Sequence, residues 1–87
     1  MISQEAILER VMQFIGQLVP SEMPIGPNTD LLQDLGLDSV KMMDLVMELE
    51  DEFDISIPIN ILMDVRTPEH LADTIVTLME KQKYGAL

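Results

Sequence analysis

The 87-residue chain has no cysteine and no tryptophan, and aromatic residues make up only 3% of it. The lack of cysteine excludes a disulfide framework and any cysteine-based metal site. The 47% hydrophobic residues include eight methionines, so the core must be aliphatic and adaptable, because an unbranched thioether fills irregular space. This length supports one core, and we expect a single domain over residues 1–87.

Basic residues are also scarce: five lysines and arginines stand against sixteen acidic residues, which gives a net charge of −11. Such a field repels phosphate backbones and anionic membrane surfaces, so it argues against nucleic-acid binding and favours partners with basic patches. No apolar run is long enough for membrane insertion, and the first residues lack the basic and apolar regions of a secretion signal. We therefore expect a cytoplasmic protein, and we expect a monomer.

Apolar residues recur at helical spacing in four parts of the chain, and no convincing strand pair is present. The predicted helices span residues 3–19, residues 39–53, residues 59–64 and a last segment that starts at Thr67-Pro68. Ser3 and Asp38 are suitable N-caps, and a proline at the first helical position is a strong start signal. The sequence predicts an all-α fold, a small four-helix bundle with three long helices and a short third helix.

The connection between the first two predicted helices is unusually long. Residues 20–37 contain three prolines and two glycines, and a loop of this length in a compact domain needs its own anchors. We expect these anchors to be inward-packing leucines, namely Leu31, Leu32, Leu35 and Leu37. Thr29 and Asp30 mark the start of a short helical turn.

The second predicted helix has apolar residues on two opposite sides. At about 100° per residue, the core side is formed by Met42, Leu45, Val46, Leu49 and Phe53. Val40, Met43 and Met47 fall on the other side with acidic neighbours, and a core-facing stripe cannot reach around to them. We expect these three to be exposed or half-exposed. Apolar residues framed by acids suit an interaction face, although scattered surface methionines need no such explanation.

Ser39 lies in the first turn of this same helix, directly after Asp38. The free N–H groups and the positive dipole end there suit a phosphate ester, but position alone favours a helix-start serine without chemistry. A hydrolase nucleophile would need a base and an oxyanion hole; the one histidine is His70, in the last helix, and there is no GxSxG motif. The acids around Glu50 point in different directions, so we expect no metal site.

The strongest resemblance to a known family lies in residues 31–58, which read LLQDLGLDSVKMMDLVMELEDEFDISIP. This segment resembles an acyl carrier protein. The match centres on Asp38-Ser39-Val40, in place of the common Asp-Ser-Leu, and continues to the turn at Ile57-Pro58. The resemblance implies a non-catalytic carrier. A phosphopantetheinyl transferase, using coenzyme A and magnesium, attaches 4'-phosphopantetheine to the serine that matches Ser39, and the arm carries acyl groups as thioesters to partner enzymes.

The resemblance also implies roles for residues around the serine. Asp38 matches the acid that precedes the modified serine. The family's partner-recognition face corresponds to Val40, Met43, Asp44, Met47, Glu50 and Asp51, and Lys41 belongs to the same surface. The interior that opens around an acyl chain corresponds to Leu45, Val46, Leu49 and Phe53, with Leu62, Val65, Leu71 and Ile75 as additional lining by position.

Two features depart from the housekeeping fatty-acid pattern of that family. Lys41 puts a base where an acidic or small polar residue is usual. The segment INILMDVRTP lacks the family's cluster of acids and contains Arg66. One short helix cannot bury its five apolar residues, so some should be exposed, unless the local core is larger. These departures suggest a specialised carrier in fatty-acid, lipid or polyketide-type biosynthesis.

Two rival functions stay open at this stage. One is an aminoacyl or peptidyl carrier of a nonribosomal pathway, although such carriers more often lack the acid before the serine and are less acidic. The other is an unmodified helical adaptor that uses its acidic face only for binding. The identity of the cargo depends on the partner enzymes.

Overall fold

The structure is a computed structural model that describes residues 3–20 and 22–85, with side chains described through residue 81. This part of the chain folds into four helices and contains no strand: α1 (Gln4–Gly16), α2 (Ser39–Phe53), α3 (Ile59–Leu62) and α4 (Pro68–Gly85). The predicted all-α fold, with three long helices and a short third helix, is confirmed. No helix among these residues is long and apolar enough to span a bilayer.

The helix starts follow the predicted caps. Ser3 Oγ accepts the N–H of Ala6 at 3.2 Å, and Thr67 Oγ1 accepts the N–H of His70 at 3.1 Å. The end of α1 was predicted too late: the helix ends at Gly16, and residues 17–19 form a tighter turn in which the N–H of Leu18 bonds to the carbonyl of Ile15 at 2.9 Å. α2 has its predicted bounds.

The core lies where α1 packs against α4 and α2. Its centre is formed by fully buried side chains from all three helices, including Val11, Ile15, Leu45, Leu49, Leu71 and Ile75. Burying each of these side chains stabilises the fold by about 1.5–3 kcal/mol. The three long helices therefore form the packed core of the fold, and the shorter segments pack against it.

A short turn in the long connection is set by Asp30. Asp30 Oδ1 accepts the N–H groups of Leu32 and Gln33 at 2.9 and 2.7 Å. These two bonds fix which side chains of the turn face the core. Leu31 and Leu35, four residues apart, then face the core, whereas Leu32 points outward and is 58% exposed. The prediction that Leu32 packs inward is therefore wrong, and the same prediction for Leu31, Leu35 and Leu37 is confirmed.

Two backbone hydrogen bonds tie this connection to the segment before α4 and to the first turn of α4. The N–H of Leu31 donates to the carbonyl of Arg66 at 2.8 Å, and the N–H of Glu69 donates to the carbonyl of Pro27 at 3.0 Å. These bonds bring residues 31–38 beside α3, although the two segments are far apart in sequence.

The short α3 leaves part of its apolar set in solvent, as expected. Leu62 and Val65 are buried, and Ile61 is half-buried, but Ile59 is 63% and Met63 77% exposed. This arrangement confirms that one short helix cannot cover all five residues.

Candidate functional site

Ser39 is the first residue of α2, and Asp38 fixes its position. The Asp38 backbone is extended (φ −83°, ψ −178°), and its Oδ1 accepts the N–H of Lys41 at 2.9 Å. Such a cap stabilises a helix by about 1 kcal/mol. Ser39 itself is exposed, and none of the described residues hydrogen-bonds to its side chain. The hydroxyl is therefore accessible to another protein.

Ser39 opens onto a cleft of about 420 Å³ between residues 31–38, the start of α2 and α3. Nine of the twelve residues that line this cleft are apolar, and the other three are Asp38, Ser39 and Arg66. Such walls suit an apolar chain. Four of the six large hydrophobic residues that the described chain exposes also line it: Leu32, Met43, Ile59 and Met63.

The predicted acyl-chain residues are divided between this cleft and the core. Leu62 and Val65 line the cleft. Leu45, Val46, Leu49, Leu71 and Ile75 are at most 3% exposed in the core, and Phe53 is half-buried against it. Sheltering of an acyl chain by these eight residues stays a prediction.

Sequence reasoning missed most of the cleft. Its wall includes Leu31, Leu37 and Met42, which it had treated only as core or loop anchors. Leu31 and Leu37 also belong to the core cluster, so the cleft lies directly on the core. The sequence feature that could have indicated the cleft is the excess of apolar residues in and after α3.

The predicted partner face has the expected exposure. Val40 is 69%, Met43 42% and Met47 62% exposed, and Lys41, Asp44 and Asp51 are exposed beside them. Their exposure is confirmed, and their contact with partners stays a prediction.

Glu50 differs from the other acids of this face, because it already has an internal role. It is half-buried, and its Oε2 accepts the N–H of Ile57 at 2.7 Å. Its carbonyl also accepts the N–H of Ile55 at 3.2 Å. Glu50 therefore holds the segment between α2 and α3.

The two arginines of the chain have different surroundings. Arg10 Nε donates to Glu52 Oε2 at 2.9 Å, and this hydrogen bond raises the pKa of Arg10 above its ordinary value. Arg66, which lines the cleft, approaches Asp30 Oδ2 only to 3.9 Å, with 64% of its side chain exposed. The cleft therefore contains a weakly paired cation in a chain of net charge −11.

His70 and the acids form no further centre beside Ser39. His70 lines a separate depression with Asp73 and Lys81 on α4, so the structure does not bring the histidine to Ser39. In the part of the chain that the structure describes, no three His, Cys, Asp or Glu residues are grouped so that they could hold a metal ion.

Three comparisons with known proteins agree with this geometry. The family described as "Phosphopantetheine attachment site" matches residues 5–75. An acyl carrier protein from Cyanidioschyzon merolae is 33% identical over 76 residues, which cover 86% of this chain and 84% of the relative. A candidate acyl carrier protein from Mycobacterium tuberculosis has a solved structure with a TM-score of 0.75 and 32% identity, covering 83% of this chain and 97% of that one.

A more distant solved structure shares the fold alone. It is a mitochondrial acyl carrier protein specific to Toxoplasma, with a TM-score of 0.78 and 17% identity, covering 87% of this chain and 90% of that one.

The residues around Ser39 fit a phosphopantetheine group. The exposed hydroxyl can form the phosphodiester, and the apolar cleft beside it can receive a chain. When bound, the group supplies a terminal thiol on which acyl groups are carried as thioesters. Because the family match covers most of the chain and a relative of similar length exceeds 30% identity, the protein belongs to the acyl carrier protein family and uses 4'-phosphopantetheine as its cofactor.

Proposed function

We propose that Ser39 is the attachment residue and that the chain, one acyl carrier domain over residues 1–87, delivers acyl thioesters to enzymes of fatty-acid, lipid or polyketide-type biosynthesis. The observation that carries this proposal is the exposed Ser39 hydroxyl at the mouth of a cleft whose lining is three-quarters apolar. Members of this family are carriers rather than catalysts, and we propose that partner enzymes perform every chemical step.

In this proposal, the cleft both covers the acyl chain and allows it to leave. Each methylene that leaves water contributes about 0.8 kcal/mol, so a chain gains from lying against Met43, Ile59 and Met63. These side chains are exposed, so the cargo can leave without opening the core.

The attachment residue is tested by intact mass after co-expression with a phosphopantetheinyl transferase. The wild-type chain should gain the mass of one phosphopantetheine group, and Ser39→Ala should not. Ser56→Ala is the matched control, because Ser56 is also exposed but lies between α2 and α3. A wild-type chain that gains no mass with any transferase refutes the proposal.

Partner binding is assigned to an α2 docking face, which we define as Val40, Lys41, Met43, Asp44, Met47 and Asp51. Exposed carboxylates can steer a partner with a basic patch, and the apolar residues can then pack against it. Weak contacts of this kind allow one monomeric carrier in the cytoplasm to serve several enzymes in turn. Glu50 is a secondary candidate, since its carboxylate already holds Ile57.

Charge reversal tests the docking face. An exposed ion pair at about 4 Å contributes about 1 kcal/mol in water, so reversal changes binding by about 2 kcal/mol, roughly 30-fold at low salt. Asp44→Lys should weaken binding to the transferase by this amount. Asp73→Lys, an equal charge change at an exposed α4 position, should not. If both variants lose the same binding affinity, the effect is one of net charge alone, and this result contradicts the assignment of the docking face to α2.

Two departures support a specialised partner set. Lys41 adds a positive charge to the docking face, and the exposed Ile59 and Met63 replace acids that the housekeeping pattern has in this region. We propose that housekeeping fatty-acid enzymes use this carrier poorly. Loading it with a short acyl group and comparing its turnover with that of the housekeeping carrier tests this, and equal rates would overturn it.

A further inference from the structure

Arg66 is the only positively charged residue among those that line the cleft beside Ser39. The other residues are apolar, except for Ser39 and the Asp38 carboxylate. The Arg66 side chain is 64% exposed, so its guanidinium is accessible to an anion that enters the cleft.

The present partner of Arg66 satisfies it poorly. Asp30 Oδ2 is 3.9 Å from the guanidinium, and Asp30 Oδ1 already accepts two backbone N–H groups. A guanidinium has five N–H donors in a planar fork. Arg10 shows what a well-paired arginine looks like in this chain: it donates to Glu52 at 2.9 Å and to Gln13 at 2.7 Å, and lies over the Phe14 ring.

Attachment of the arm would place a phosphodiester at Ser39, beside the Asp38 carboxylate in a chain of net charge −11. A nearby cation would stabilise this added negative charge, and the planar fork of arginine is well suited to phosphate oxygens. We propose that Arg66 binds the phosphodiester of the arm on Ser39 and so holds the start of the arm at the cleft. This inference rests on the proposed function, because it requires Ser39 to be the attachment residue.

Nuclear magnetic resonance of the arginine Nε–H groups tests the inference in the wild-type chain. The sequence has two arginines, so an apo sample gives two such signals, and Arg66→Lys identifies the signal of Arg66 by its loss. On conversion to the holo form, the Arg66 signal should shift and the Arg10 signal should stay, since Arg10 is bonded to Glu52. The ³¹P signal of the arm should also shift in Arg66→Gln relative to the wild-type holo form.

The Asp30→Asn variant separates phosphate binding from a purely structural pair. If Arg66 only ties Asp30 in place, Asp30→Asn and Arg66→Gln should change the melting temperature equally in apo and holo forms, and this result overturns the inference. If Arg66 binds the phosphodiester, Arg66→Gln should reduce the holo-minus-apo difference in melting temperature, whereas Asp30→Asn should keep or increase it.

Two further outcomes overturn the inference without affecting the proposed function. A holo sample with the expected mass but an unmoved Arg66 signal shows that Arg66 does not contact the arm. A signal that moves only after loading with a dicarboxylic acyl group, and not with a monocarboxylic group of equal length, assigns Arg66 to the cargo instead. Absence of the mass shift itself refutes the proposed function.

Discussion

Replacement of Glu50 by alanine tests how the end of α2 is fixed. Glu50 Oε2 accepts the N–H of Ile57 at 2.7 Å, across the left-handed residue Asp54 (φ 54°, ψ 52°) that ends the helix. Ile55 and Ile57 are both 7% exposed, so the carboxylate holds a buried segment onto the core. Without it, the N–H of Ile57 loses its partner in a half-buried position.

The expected loss follows from that hydrogen bond. A hydrogen bond to a charged group contributes about 1.5–3 kcal/mol, and the lower half of this range applies because Glu50 is only half-buried. In a domain of this size, 1 kcal/mol corresponds to about 4–8 °C in melting temperature. Glu50→Ala should therefore lower the melting temperature by roughly 6–18 °C. Glu50→Gln should lose less, because it keeps an acceptor oxygen.

Urea and thermal unfolding, with Asp51→Ala as the matched control, provide the assay. Asp51 is the next acid on the helix and is exposed, so its replacement should change stability by less than about 0.5 kcal/mol. Equal stabilities of Glu50→Ala and Asp51→Ala would refute the reasoning. The result also decides how binding data are interpreted, because a loss of partner affinity in Glu50→Ala could come from a loosened α2–α3 segment.

Three further substitutions test the frame around Ser39. Gly36 has φ 67°, so Gly36→Ala should lose about 1–2 kcal/mol in urea unfolding, whereas Gly26→Ala, with no positive φ and ordinary contacts, should not be destabilising. Leu49→Ala should lose about 2–5 kcal/mol in the same assay, and Met47→Ala, two residues away but 62% exposed, less than about 0.5 kcal/mol. Asp38→Ala should lose about 1 kcal/mol and speed amide exchange at the start of α2, while Asp38→Asn keeps the cap.

The sequence predicts the helices well wherever local chemistry marks their ends. The bounds of α2 follow from the Asp38 cap and the break after Phe53, and both are properties of neighbouring residues. Leu32 shows where local patterns are insufficient. Four leucines within seven residues all suit burial, but the turn phase is set by two hydrogen bonds to Asp30 Oδ1, and that phase turns Leu32 to the solvent.

The part of the candidate site that depends on local sequence was predictable, and the part that depends on long-range contacts was not. The exposure of Val40, Met43 and Met47 follows from helical periodicity alone. The cleft does not, because its wall forms only when the hydrogen bond from Leu31 to Arg66 joins segments 35 residues apart. Arg66 stands out in the sequence only as a departure, and its place in the cleft that Ser39 also lines becomes visible only in the fold.

The structure separates the part that holds the fold together from the part that would hold a cargo. Stability comes from the buried residues of α1, α2 and α4, whereas one cleft wall is α3, four residues with no side-chain cap. A helix so short is not stable alone, so α3 depends on the burial of Leu62 and Val65. An acyl chain that enters or leaves the cleft covers or uncovers Ile59 and Met63, which are exposed in any case. If the cargo lies in this cleft, as proposed, its exchange requires no repacking of the core, and the carrier can change its load without approaching its unfolding transition.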